Sequence, residues 1–67
     1  MEQIKVGDYV IVEDKGVLKE YNVRRLHKLT FEATPTNVGY KNVYDILKIF
    51  KTESIIENYG NDYSGNF

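Results

Sequence analysis

The chain has 67 residues with a formal net charge of -1, 42% hydrophobic and 28% charged side chains, one histidine and no cysteine. That length allows one domain with a small core; the missing cysteines exclude disulfides and thiolate metal sites, and the ordinary composition argues against a wholly disordered chain. No apolar run reaches the roughly 20 residues of a membrane helix, and no charged, then apolar, then small-residue signal opens the chain, so a cytoplasmic protein without cofactor or metal is expected.

The first predicted strand runs from Ile4 to Val12, where β-branched and aromatic residues dominate. Val6, Val10 and Val12 fall on one face and Tyr9 and Ile11 on the other, so cover on both sides is expected, with a bend or bulge at Gly7-Asp8. Glu13-Asp14-Lys15-Gly16 supplies turn chemistry, Gly16 being free to take positive φ. Val17 to Leu26 predicts the next strand. Val17, Tyr21 and Val23 share a face, and Leu26 joins them only if one extra residue is bulged out near Arg24-Arg25. The alternative, a helix carrying Leu18, Tyr21, Leu26 and Leu29, strands Val23 on the wrong side. Leu29, Phe31 and Ala33 alternate with Thr30, Glu32 and Thr34 in a third strand, which Pro35 ends because proline has no ladder N–H.

Thr36 to Tyr40 reads as loop, and Asn42 to Phe50 supports two readings. Val43, Ile46, Leu47 and Phe50 have helical spacing behind an Asn42 cap, yet Ile46 to Phe50 is also a good short strand by residue type. A helical turn over residues 42–45 followed by a strand over 46–51 reconciles them; a helix over 42–51 is the alternative. Ile55-Ile56 is expected to lie in a short helical turn, which ends a domain spanning residues 1–56. Residues 57–67 are expected to be a flexible tail, since Asn, Gly, Asp and Ser around Tyr59, Tyr63 and Phe67 bury too little to offset their ordering entropy. The expected fold class is mainly β, a small partly open barrel of about four to five strands with one short helical turn; a helix over 42–51 would make it α+β.

The segment Lys5-Val6-Gly7-Asp8-Tyr9-Val10-Ile11-Val12, with Gly16 in the following turn, resembles the opening strand of SH3-like barrels, including the KOW type. Asn42 to Phe50 is similar to the helical turn and closing strand that end many such barrels. The resemblance covers about a third of the chain and implies a fold. It carries no function across, because the second glycine of KOW loops is missing and the proline-binding aromatic groove of signalling SH3 domains does not map onto these residues.

Three groups of side chains are candidate sites. Arg24, Arg25, His27 and Lys28 form the one basic cluster and could contact phosphates, with Tyr9, Tyr21, Phe31, Tyr40 or Tyr44 stacking on bases. On a strand, however, adjacent arginines point to opposite faces, and the aromatics fall on apolar faces that suit a core. Asp8, Glu13, Asp14 and Glu20 could make an acidic stripe that imitates a nucleic-acid backbone. Tyr59, Tyr63 and Phe67, spaced by four, could anchor the chain in a groove of another protein. His27 has neither a second histidine nor a cysteine to complete a catalytic or metal site, so no enzyme is expected.

The leading expectation is therefore a non-enzymatic module that binds a protein partner through Tyr59, Tyr63 and Phe67. The bias toward Lys, Asn, Ile and Tyr is what an AT-rich genome encodes and fits a phage gene, so the partner expected is a host bacterial protein that the module inhibits or modulates. A small barrel binding nucleic acid through Arg24, Arg25, His27 and Lys28, or a structural homo-oligomeric phage component, are the competing expectations. A homodimer is left open; neither a membrane nor a small-molecule substrate is expected.

Overall fold

The computed structural model describes residues 3–36 and 46–61. These form five antiparallel strands: β1 (Tyr9–Asp14), β2 (Val17–Leu26), β3 (Thr30–Pro35), β4 (Lys48–Lys51) and β5 (Ile55–Gly60), with a 3-10 turn at Thr52–Ser54 between the last two. They lie in one open sheet in the order β4-β3-β2-β1-β5. The described residues contain no α-helix, so the mainly β reading holds. The expected helical turn over 42–45 lies outside them.

The first predicted strand begins later than its residue types suggest. Lys5 to Asp8 close a turn in which the Asp8 N–H donates to the Lys5 carbonyl at 3.1 Å, and Gly7 takes a φ of 97°, open to glycine at no steric cost. β1 starts after that reversal and runs on through Glu13-Asp14, which were expected in the next turn. The β1–β2 connection is instead the two residues Lys15-Gly16, at φ 54° and 81°, with Asp14 opposite Val17. Positive φ at both positions matches the right-handed twist of the flanking strands.

β2 carries the expected bulge. Val23 faces Ala33 and Arg25 faces Glu32, so Arg24 is the extra residue. The slip brings Leu26 opposite the buried Phe31, but β2 is exposed from Arg24 onward and Leu26 is 42% exposed, so the expected return of Leu26 to the core is not seen. The helical alternative for this segment is excluded. So is the helix over 42–51 in its second half, because Lys48 to Lys51 pair with Ala33 to Thr30 of β3. A strand satisfies the free ladder groups on that edge, and it turns Phe50 toward the core while Ile49 stays in solvent.

The larger correction concerns the C-terminal end. Ile55 and Ile56 open β5 rather than a helical turn, and residues 57–60, expected in a flexible tail, continue that strand along β1. Pairing with β1 supplies the backbone partners that this apolar-poor segment cannot find alone. Two register shifts interrupt the ladder, and Ile56 and Tyr59 are its unmatched residues.

The core lies on the concave face of the sheet. Val10, Val12, Tyr21, Val23, Phe31 and Ala33 are fully buried there with Ile4 at the margin, and Phe50 and Ile55 pack against them. The sheet curls over this cluster: the Tyr21 ring of β2 meets Phe50 of β4 across the intervening strand at a centroid distance of 4.7 Å. Lys48 Nζ of β4 also reaches Asp14 Oδ2 of β1 at 3.4 Å. The result is a five-stranded sheet rolled toward a small barrel.

Candidate functional site

The Gly7-Asp8 pair that carries the family resemblance has a structural task. Asp8 is buried, and its Oδ2 accepts the Lys5 N–H at 2.9 Å and Asn58 Nδ2 of β5 at 3.1 Å. Asn22 Nδ2 of β2 donates to the Gly7 and Asp8 carbonyls at 3.0 and 3.2 Å, and the Val23 N–H donates to the Asp8 carbonyl at 2.9 Å. The Asp8 carboxylate thus ties the N-terminal turn to β5, while the Gly7 and Asp8 carbonyls tie it to β2. The rest of the expected acidic stripe disperses. Asp14 accepts Tyr21 Oη and Lys48 Nζ on the concave side, and Glu20 accepts the Thr36 hydroxyl at 2.7 Å.

The basic cluster is likewise not assembled into one surface. Arg24 is the bulged residue, and its Nε donates to Thr34 Oγ1 at 3.1 Å. Arg25 and His27 both turn to Glu32: Arg25 lies 3.9 Å from Oε2, and His27 Nε2 is hydrogen-bonded to the same oxygen. Glu32 thus already engages both side chains. Lys28 stands apart at the hairpin tip and, among the described residues, makes no ion pair. Of the stacking aromatics, Tyr21 and Phe31 are core and Tyr9 is half-buried; Tyr40 and Tyr44 lie outside the described residues.

Of the three aromatic anchors, Tyr59 is on β5, 41% exposed, with its hydroxyl donating to Glu57 Oε1 at 3.2 Å. Tyr63 and Phe67 lie outside the described residues.

The surface that sequence reasoning missed is the tip of the β2–β3 hairpin. Leu29, expected as the first core residue of β3, is 75% exposed. Its carbonyl and that of the next residue both accept hydrogen bonds. The His27 N–H donates to the Thr30 carbonyl and the Thr52 N–H to the Leu29 carbonyl, each at 3.0 Å. An apolar side chain is therefore presented to solvent from a fixed backbone. Beside it lies a cavity of about 530 Å³ walled by Leu29, Thr30, Lys51, Thr52 and Glu53. A second, of about 350 Å³, shares Thr30 and Thr52 and reaches Ile4, Leu26 and Lys28. Leu26 is 42% exposed on that side. The signal in the sequence was Leu29 following His27-Lys28: where a hairpin loop begins, strand alternation no longer assigns a face.

Among the described residues no group of three or more His, Asp or Glu could hold a metal ion, and no helix is long and apolar enough to cross a membrane. The described residues form a five-stranded antiparallel open sheet, compatible with a small β-barrel-like fold, with an apolar, groove-bearing end. Comparison with protein-family models, curated proteins and solved structures found no match.

Proposed function

We propose that this chain is a non-enzymatic protein-binding module on an SH3-like barrel, and that it takes its partner at the β2–β3 hairpin tip. The observation that carries this is Leu29, exposed beside a groove on a backbone whose carbonyl accepts the Thr52 N–H, with a second groove sharing Thr30 and Thr52. Exposed apolar side chains beside a concavity, framed by polar residues, are the usual form of an interaction surface. The SH3-like reading is supported by the turn at Gly7-Asp8, the sequential hairpins β1–β2 and β2–β3, and the 3-10 turn that returns β5 to β1. The closing strand is then Ile55–Gly60 rather than Ile46–Phe50.

A host bacterial protein remains the partner this reading favours, given a residue bias that fits a phage gene. Tyr59 of β5 is a separate candidate contact, with Tyr63 and Phe67 following it in the sequence. The test is affinity capture from bacterial lysate with the full chain, its Leu29→Asp variant and its Tyr59→Ala variant. The expected result is a saturable protein partner that Leu29→Asp loses and Tyr59→Ala retains. Absence of any saturable partner, or equal recovery with Leu29→Asp, would overturn the reading.

A further inference from the structure

The walls of the hairpin-tip grooves are not electrically neutral. Lys28 and Lys51 border them, and neither makes an ion pair or side-chain hydrogen bond among the described residues. One unpaired carboxylate, Glu53, shares the wall with Lys51. His27 also lines the second groove, and it and Arg25 are already engaged with Glu32. The tip is thus a local excess of positive charge, around apolar Leu26 and Leu29, on a chain whose net charge is -1.

Resting on the binding reading above, we infer that the grooves accept an extended acidic segment of the partner, with one large apolar side chain seated beside Leu29 and carboxylates meeting Lys28 and Lys51. Three features select this occupant. The concavity beside Leu29, at about 530 Å³, is within the range of ligand pockets and has room for a leucine- or aromatic-sized anchor. The unpaired ammonium groups complement carboxylates at the rim, where charge steers encounter and fixes register. Asp8, Asp14, Glu20 and Glu32 are engaged internally, so among the described residues a second copy of the chain would offer only the scattered carboxylates Glu13, Glu53 and Glu57. A lipid surface is a poorer match, since the apolar atoms here line concavities rather than one protruding face.

The test is amide NMR titration of the full isotope-labelled chain with three probes. These are a synthetic peptide with one phenylalanine flanked by Glu and Asp, the same peptide with lysines replacing the acids, and vesicles rich in phosphatidylserine. The expected result is saturable shifts at Leu26 to Thr30 and Lys51 to Glu53 with the acidic peptide alone. Reversing both charges, Lys28→Glu with Lys51→Glu, should weaken that binding about tenfold. Lys28→Arg with Lys51→Arg should restore it, and Glu53→Gln should strengthen it. All these positions are at the surface, and an unchanged dispersion of core resonances verifies the fold of each variant.

Equal shifts with the basic peptide, binding to vesicles without binding to the acidic peptide, or shifts confined to β5 would each overturn the inference. If lysate capture depends on Leu29 while the acidic peptide fails, the binding reading stands and the acidic partner falls. If capture fails as well, both fall.

Discussion

Asp8 and Lys15 show how single residues hold this fold by opposite routes. Asp8 is a buried carboxylate whose two donors come from Lys5 and Asn58, 50 residues away along the chain from it in the latter case. Removing the acceptor leaves both part-buried donors without it, so Asp8→Ala should lower stability by about 2 kcal/mol in urea unfolding. Asp8→Asn keeps one carbonyl oxygen for those donors and should lose about 1 kcal/mol. Equal losses would show that charge, not the acceptor, matters. Lys15 is a non-glycine residue at φ 54° in the β1–β2 turn. Asparagine tolerates that region better, so Lys15→Asn should raise stability by about 0.5 kcal/mol in the same assay, with no change in the slope against urea. The turn was legible in the sequence through Gly16, whereas the role of Asp8 was not. A Gly-Asp pair announces a bend locally, but the Asn58 that meets its carboxylate is brought there only by β5 pairing.

At the scale of elements, β2 and β4 were opposite cases. The broken alternation from Val23 to Leu26 was itself the evidence for a bulge, and the one-residue slip is there, although Leu26 at the strand end remains 42% exposed. For β4 the residue pattern was balanced between helix and strand, and the open edge of β3 decided it. That assignment makes neighbouring residues unequal. Phe50 packs on Tyr21 and Phe31 at centroid distances of 4.7 and 5.7 Å, while Ile49 is 68% exposed. Phe50→Ala should lower stability by about 3 kcal/mol, and Ile49→Ser should change it by about 0.5 kcal/mol or less, both read from thermal unfolding by circular dichroism. Similar losses at the two positions would contradict the strand. β5 escaped sequence reasoning for a related reason. Asn58, Tyr59 and Gly60 have neither a clean period nor strong strand preference, and the segment is ordered by β1 rather than by its own composition.

The molecule as a whole depends on the sheet closing over a small core, and Tyr21 stands at that closure. Its ring is fully buried against Phe50, and its hydroxyl donates to Asp14 Oδ2 at 3.3 Å, the oxygen that Lys48 also approaches. Burial raises the pKa of the phenol above its ordinary value; the Lys48 ammonium works against that rise and the Asp14 carboxylate adds to it. Ionising Tyr21 is therefore harder folded than unfolded. Its contribution to stability is complete below the unfolded value of about 10 and is lost as pH climbs through the higher folded value. Wild-type chain should lose stability progressively above about pH 10, measured by urea midpoints across the alkaline range. Tyr21→Phe should flatten that decline while lowering stability at neutral pH by about 1 kcal/mol. An alkaline decline unchanged in Tyr21→Phe would place its origin elsewhere.

Taken by itself, the sequence determined what depends on neighbours along the chain: the mainly β class, the inward faces of β1, β2 and β3, the Gly16 turn and the need for a bulge near Arg24. Side-chain alternation has a period of two, and turn chemistry spans a few residues, so both are written locally. Only the tertiary structure decided that β5 completes the sheet, that Glu32 occupies Arg25 and His27, and that Leu29 stands in solvent beside Lys28 and Lys51. Those outcomes depend on which strand lies opposite and how far the sheet curls. Burial is a property of the surface a residue meets, and for Leu29 that surface is the Thr52–Ser54 turn, which takes its carbonyl and leaves its side chain uncovered.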